Sequence, residues 1–228
     1  QTTREGLSEL KTVFSVVRDV PIDEQGTTYG ALIQQKYPEI TAFNHIHHAG
    51  NSSGVVDGAA ALLLASESYM KKNGMTPRAR IVATANMGDC PTLMLNAPVP
   101  AAEKVLMKAG LTKDDIDVWE INEAFAVVAE RFIRRLGLDR EKVNINGGAM
   151  ALGHPIGATG SILVGTAPGD AQIGGSYYAF EYGAQVDAQR ENSDQGYTAI
   201  DVQVQLCIVD AVGGNILHVL DSGNFNSN

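Results

Sequence analysis

Between Ala79 and Ala167, short apolar runs alternate with amphipathic stretches of helical length, and no other feature of the 228-residue chain constrains its fold as strongly. ARIVATANM (Ala79–Met87) reads as a buried strand. PVPAAEKVLMKAG reads as a helix, with Pro100 near its first turn and Gly110 just past its end. Thr112, with Asp115 three residues later, makes a carboxylate capping box ahead of the short strand VWEI (Val118–Ile121). AFAVVAERFIRRLG is then a helix ended by Gly137, VNIN (Val143–Asn146) another strand, and GATGSILVGTA a further helix. A strand's apolar face has to be covered, and helices supplied in alternation with strands cover it, so the pattern predicts an α/β layered domain.

The flanks are less regular. EGLSELKTVF predicts a short amphipathic helix, Arg18 to Tyr37 gives no assignment, and a helix is predicted from about Val56 to Asn73, stopped by Gly74. Its wealth of Ala and Leu leaves little polar face, which predicts burial between layers. Beyond Pro168 the runs YYAFEY, TAIDVQVQLCIV and NILHVL between polar turns predict a β-rich tail. The charge changes at the same place: of the net -9, Pro168 to Asn228 carries -7, with Arg190 its only cation. The expected organisation is therefore 1–45 as a loop or linker remnant, 46–167 as the α/β domain, and 168–228 as a divergent acidic tail. A frameshifted or chimeric coding sequence and genuine divergence, with hairpins laid over an exposed sheet edge, both account for that junction.

A pI near 5.0 argues against a nucleic-acid surface, which depends on clustered Lys and Arg. No apolar run reaches the length of a membrane helix, and the first residues form no signal-peptide core, so a cytoplasmic or organelle-matrix protein is expected. The start at Gln1 leaves room for a targeting segment removed upstream. Cys90 and Cys207 have neither disulfide-framework nor metal-ligand spacing, and each reads as a structural thiol; no metal site is expected.

Three stretches place polar groups where a loop meets a regular element. Asn51, Ser52, Ser53 and Gly54 open the predicted apolar helix, where free N–H groups favour an anionic or carbonyl ligand, although plain N-capping by a serine is the commoner explanation of such a stretch taken alone. Asn122 and Glu123 follow VWEI, where a rigid amide donates to a developing oxyanion or simply forms a turn. Asn146, Gly147 and Gly148 lead to Gly153, His154 and Pro155, with Gly157 opening the next helix. Such a histidine, near a helix N-terminus that disfavours its cation, would stay neutral as a base or donor; a surface-loop histidine is the alternative.

NEAFA (Asn122 to Ala126), NGGAMALGHPIGATG (Asn146 to Gly160) and the preceding HHAGNSSGVVDGAAALLL together resemble the thiolases, the acyl-CoA C-acyltransferases, over roughly His47 to Ala167. The resemblance implies half of a layered αβαβα fold and a Claisen condensation or its reverse between CoA thioesters, with CoA thioester as substrate and no permanently bound cofactor. It implies that His154 activates the nucleophile and donates to the thioester oxygen, that Asn122 holds a water in the same oxyanion hole, that Ser53 contacts the pantetheine of CoA, and that Ala124 and Phe125 line its channel. Acyl-CoA and CoA are the implied partners, with a homo-oligomer, dimer or tetramer, in the full protein; nucleic acid and membrane are not.

The resemblance also implies two cysteines that this sequence does not place well. The nucleophile belongs to an N-terminal half, and the surroundings of Cys90 in MGDCPTL do not match it. The acid/base cysteine belongs to a C-x-G stretch, whereas Cys207 is followed by Ile208 and Val209 and stands 53 residues beyond His154, so it is a weak match. The expectation is an incomplete fragment that is inactive by itself. A non-catalytic CoA-binding or assembly module is the alternative, and a purely structural interaction domain a third reading supported only by the acidic tail.

Overall fold

The computed structural model describes residues 2–90, 92–166, 177–187 and 201–211, the last two segments as backbone alone. Seven α-helices are present among these residues: α1 (Arg4–Ser8), α2 (Tyr29–Lys36), α3 (Glu67–Lys72), α4 (Pro98–Ala109), α5 (Ala126–Leu136), α6 (Ala149–Leu152) and α7 (Thr159–Thr166). Strands β1 (Ala79–Asp89), β2 (Ile116–Glu120), β3 (Tyr177–Asp187) and β4 (Asp201–Ala211) form one mixed sheet in the order β1-β4-β3-β2. β2 and β3 run parallel, and β4 is antiparallel to both β3 and β1. The α/β layering read from the sequence is what the chain adopts.

The core forms where α4 lies against β1 and α5. α4 turns Val99, Ala101, Ala102, Val105 and Leu106 inward, and Gly110 ends it in the left-handed conformation (φ 68°) that glycine takes without a Cβ penalty. α5 contributes Val128 and Phe132 to the same core, and Phe132 meets Trp119 of β2 edge-to-face with ring centroids 5.5 Å apart. Before β2, the Asp115 carboxylate accepts from the Thr112 N–H at 2.8 Å and its hydroxyl at 2.7 Å, closing the expected capping box.

Four expectations are corrected. The predicted helix from Val56 to Asn73 exists only as α3, capped by the Ser66 hydroxyl; the stretch before it is irregular and exposed, with Val55 at 80% and Leu63 at 81%. Helices in proteins draw most of their stability from packing an apolar face, and no described element covers this one. The N-terminal helix also stops at Ser8, well short of Phe14. β1 is not buried on both faces: Ala85 is buried and Ala83 and Met87 pack beside it, while most of the strand is exposed, because α4 covers one side only. VNIN forms a single bridge, Trp119 to Val143, because Asn144 turns to positive φ (49°) and breaks the extended run.

YYAFEY lies in β3 and most of TAIDVQVQLCIV in β4, so the tail supplies the two inner strands of the sheet rather than a hairpin over its edge. NILHVL lies outside the described residues. No helix among the described residues is long and apolar enough to cross a membrane.

Candidate functional site

The end of β2 carries the chain into Ile121–Asn122–Glu123, and the side chains of Asn122 and Glu123 take up different partners. Asn122 is buried (9% exposed), and its Nδ2 stands 3.4 Å from Nε2 of His154. The other imidazole nitrogen, Nδ1, is 2.7 Å from the hydroxyl of Thr159, the buried first residue of α7. The tautomer sets the roles: with Nδ1–H donating to the Thr159 hydroxyl, Nε2 accepts from the Asn122 amide, and with that hydroxyl donating into Nδ1, Nε2–H is a second donor beside the amide. The buried Asn122 Oδ1 accepts no hydrogen bond from the described residues.

The backbone that holds His154 is fixed on both sides. Gly153 has φ 93° and ψ 165°, a conformation essentially reserved for glycine. The His154 N–H donates to the Gly54 carbonyl at 2.8 Å, and Val55 bridges His154 in parallel. Gly54 thus reaches the site by pairing with it, not as the start of a helix: Asn51 and Ser52 are spent inside their own loop, donating to the carbonyls of Ile46 and His48. The helix-terminus anion site expected there is therefore absent, because the helix that would supply its dipole does not form.

Burial holds the half-buried His154 imidazole below its ordinary 6.5. Desolvation is the cause. With a folded value below the unfolded one, the unfolded chain binds the extra proton first, so stability from the neutral ring is complete above 6.5 and is lost as pH falls through and below it. The thermal midpoint should accordingly drop between about pH 7.5 and 5.5, and His154→Gln should flatten that drop. Equal slopes in both proteins would contradict the assignment.

Ser53 docks on the same turn. Its N–H and its hydroxyl both donate to the Ala124 carbonyl, at 3.0 and 3.1 Å, and Ser52 bridges Phe125. Phe125 packs edge-on against Phe14 (5.9 Å between centroids) and tilted against His47 (4.9 Å). Ser53, Ala124 and Phe125 therefore form one contact beside Asn122, as the sequence grouped them. Cys207 sits in β4 in register with Thr84 of β1 and Phe180 of β3, and its side chain lies outside the described residues. Cys90 stands 3.8 Å from the Tyr37 hydroxyl; hydrogen bonds from the Leu93 region hold its thiol below the usual range against the opposing effect of burial.

A cleft of about 390 Å³ opens next to this turn, lined by Ile46, His47, Asn51, Glu123, Val127 and Met150 among others, but neither Asn122 nor His154 lines it. Groups that act on a substrate have to reach its reacting atom, so the facing amide and imidazole are the candidate site and the cleft is not. No His, Cys, Asp or Glu cluster among the described residues is arranged to hold a metal ion. Sequence reading missed two residues: Thr159, which orients the imidazole, and Asn144, which ties down the turn. Thr159 stands five residues after the histidine at the head of a helix, and that polar residue was the available signal.

Residues 75–177 match the C-terminal domain of thiolase. The chain is 50% identical over 159 residues to the 3-oxoadipyl-CoA/3-oxo-5,6-dehydrosuberyl-CoA thiolase of Escherichia coli (68% of this chain, 39% of the relative), and 43% identical over 159 residues to human mitochondrial 3-ketoacyl-CoA thiolase (69% and 40%). The crystal structure of that human enzyme superposes with a TM-score of 0.66 at 31% identity, over 93% of this chain and 44% of the enzyme. The chain belongs to the thiolase family and covers its C-terminal part. It spans about two fifths of the length of the curated relatives it matches. The domain match runs to residue 177, past the change of composition near Ala167.

Proposed function

We propose that His154 and Asn122 are the oxyanion donors of a thiolase-type acyltransferase, which exchanges acyl groups between CoA thioesters by Claisen condensation or by thiolysis of a 3-ketoacyl-CoA. One observation carries this reading: Nε2 of the imidazole and Nδ2 of the amide lie 3.4 Å apart while Thr159 occupies Nδ1. An enolate or tetrahedral oxygen forming beside the two donors accepts from both, and each such donor is worth about a hundredfold to a thousandfold in rate. In the tautomer whose Nδ1–H donates to the Thr159 hydroxyl, Nε2 is the acceptor: it takes the thiol proton as the nucleophile attacks, the Nε2–H so formed donates to the developing oxyanion, and the proton is then returned to the leaving thiolate. Ser53, Ala124 and Phe125 offer the adjoining surface for the pantetheine arm. We read residues 46–167 as the unit that carries this site, 1–45 as its lead-in and 168–228 as the divergent acidic tail, with dimer or tetramer assembly in the full protein.

Neither cysteine is assigned a step. Cys90 is engaged with Tyr37, and Cys207 lacks the glycine two residues on. The isolated chain should therefore cleave acetoacetyl-CoA in the presence of CoA no faster than its His154→Ala variant. Turnover above that control would overturn the expectation. Calorimetric titration with CoA separates the remaining readings: heat of binding without turnover favours a CoA-binding module, and no heat favours a fragment that needs more of the protein.

A further inference from the structure

We propose that Asn144 is a positioning residue for Asn122, gripping the chain on both sides of it with one side-chain amide. Its Oδ1 accepts from the Ile121 N–H at 2.7 Å, and its Nδ2 donates both to the Ile121 carbonyl at 2.9 Å and to Oε1 of Glu123 at 2.7 Å. The residue before Asn122 is thus held at both backbone polar groups, as a neighbouring strand would hold it, and the residue after it is held at its carboxylate. Both amide protons and the carbonyl oxygen of Asn144 are used, so rotating the amide would break the whole set.

The grip is itself anchored. Asn144 is buried (9% exposed), its N–H donates to the Trp119 carbonyl at 2.8 Å, and its φ of 49° is a conformation asparagine tolerates better than most residues. The second carboxylate oxygen of Glu123 accepts from the Met150 N–H in α6, at 3.2 Å, tying the Asn122 turn to the loop that leads to His154. Gly148 makes room for that carboxylate, because a Cβ there would lie 2.2 to 2.5 Å from its atoms. Two loops, each bearing one donor of the site, are locked together through Asn144 and Glu123, neither of which hydrogen-bonds His154 among the described residues.

The inference rests on the proposed function for its purpose, but its test requires no substrate. In the chain labelled with ¹⁵N at histidine, the Nε2 resonance of His154 reports whether the Asn122 amide lies against it, and Asn122→Ala sets the position of the uncoupled signal. Asn144→Ala should move the resonance to the Asn122→Ala position, and Gly148→Ala should move it part of the way by displacing the carboxylate. A signal at the wild-type position in folded Asn144→Ala would overturn the proposal, since a merely structural role lowers stability and leaves the signal of the folded molecules unmoved. If Trp119 fluorescence shows that variant unfolded, Glu123→Ala decides the matter: a shift toward the Asn122→Ala position supports the grip, and no shift overturns it. Failure of the acyltransfer reading would appear instead as a bound thioester whose carbonyl frequency is the same on the wild-type, Asn122→Ala and His154→Ala chains, with these shifts intact.

Discussion

Phe132→Ala is expected to lower the stability of the chain by about 3–5 kcal/mol, the largest effect of any single truncation considered. Phe132 is fully buried and packs edge-to-face on Trp119, itself 1% exposed, where α5 meets β2. Removing the ring forfeits its transfer free energy and leaves a hollow lined by the core of α4, β2 and α5. The same hollow adjoins the strand whose end carries Asn122, so the loss should reach the site as well as the fold. A urea titration followed by Trp119 fluorescence measures it. A midpoint within error of wild type would show that this core is not what holds the domain together.

Gly153→Ala should cost less stability and do more local damage. A side chain at φ 93° and ψ 165° adds about 1–3 kcal/mol of backbone strain. The new Cβ would also lie 2.5 Å from a methyl of Val56. Val56 is 41% exposed and has room to give way, so the strain should outlast the clash. The double variant Gly153→Ala, Val56→Ala should recover only a minor part of the lost stability, and full recovery would mean that crowding, not backbone geometry, sets the requirement for glycine. Because His154 is the next residue and its N–H is fixed on Gly54, the strain should also appear as a displaced imidazole resonance.

The elements legible in the sequence were those decided locally. α4 and α5 carry their own stop signals, Gly110 and Gly137, both left-handed, together with apolar spacing for one face. The capping box at Thr112 needs only four residues and was equally visible. The stretch Val56 to Ala65 was misread because its composition suits a helix, whereas what makes such a helix stable is a covering layer that local sequence does not report. VNIN has strand composition, yet the left-handed turn at Asn144 follows from partners more than twenty residues away at Ile121 and Glu123.

The site divides in the same way. His154 and Asn122 stood out because glycines and a strand end surround them, and the resemblance to thiolases joined them across 32 residues. What joins them physically is longer in range: Thr159 on the imidazole, Asn144 on the turn, and Gly148 leaving space for Glu123. Gly148 and Thr159 lie inside the glycine-rich motif and Asn144 just before it, but the part each plays is defined by the atom it meets in the fold. The sequence offered a helix terminus as a reason for a neutral His154, while the burial that lowers its basicity depends on tertiary packing and not on neighbouring residues in the chain.

The central claim is that the amide of Asn122 and the imidazole of His154 converge on the oxygen of a CoA thioester. The infrared carbonyl stretch of ¹³C-labelled acetyl-CoA bound to the chain tests it directly, because donors aimed at that oxygen weaken the C=O bond. The account predicts a lower frequency on the wild-type chain than on Asn122→Ala or His154→Ala, each measured at saturating ligand. The same frequency on all three proteins, equal to that of the free thioester, would contradict it.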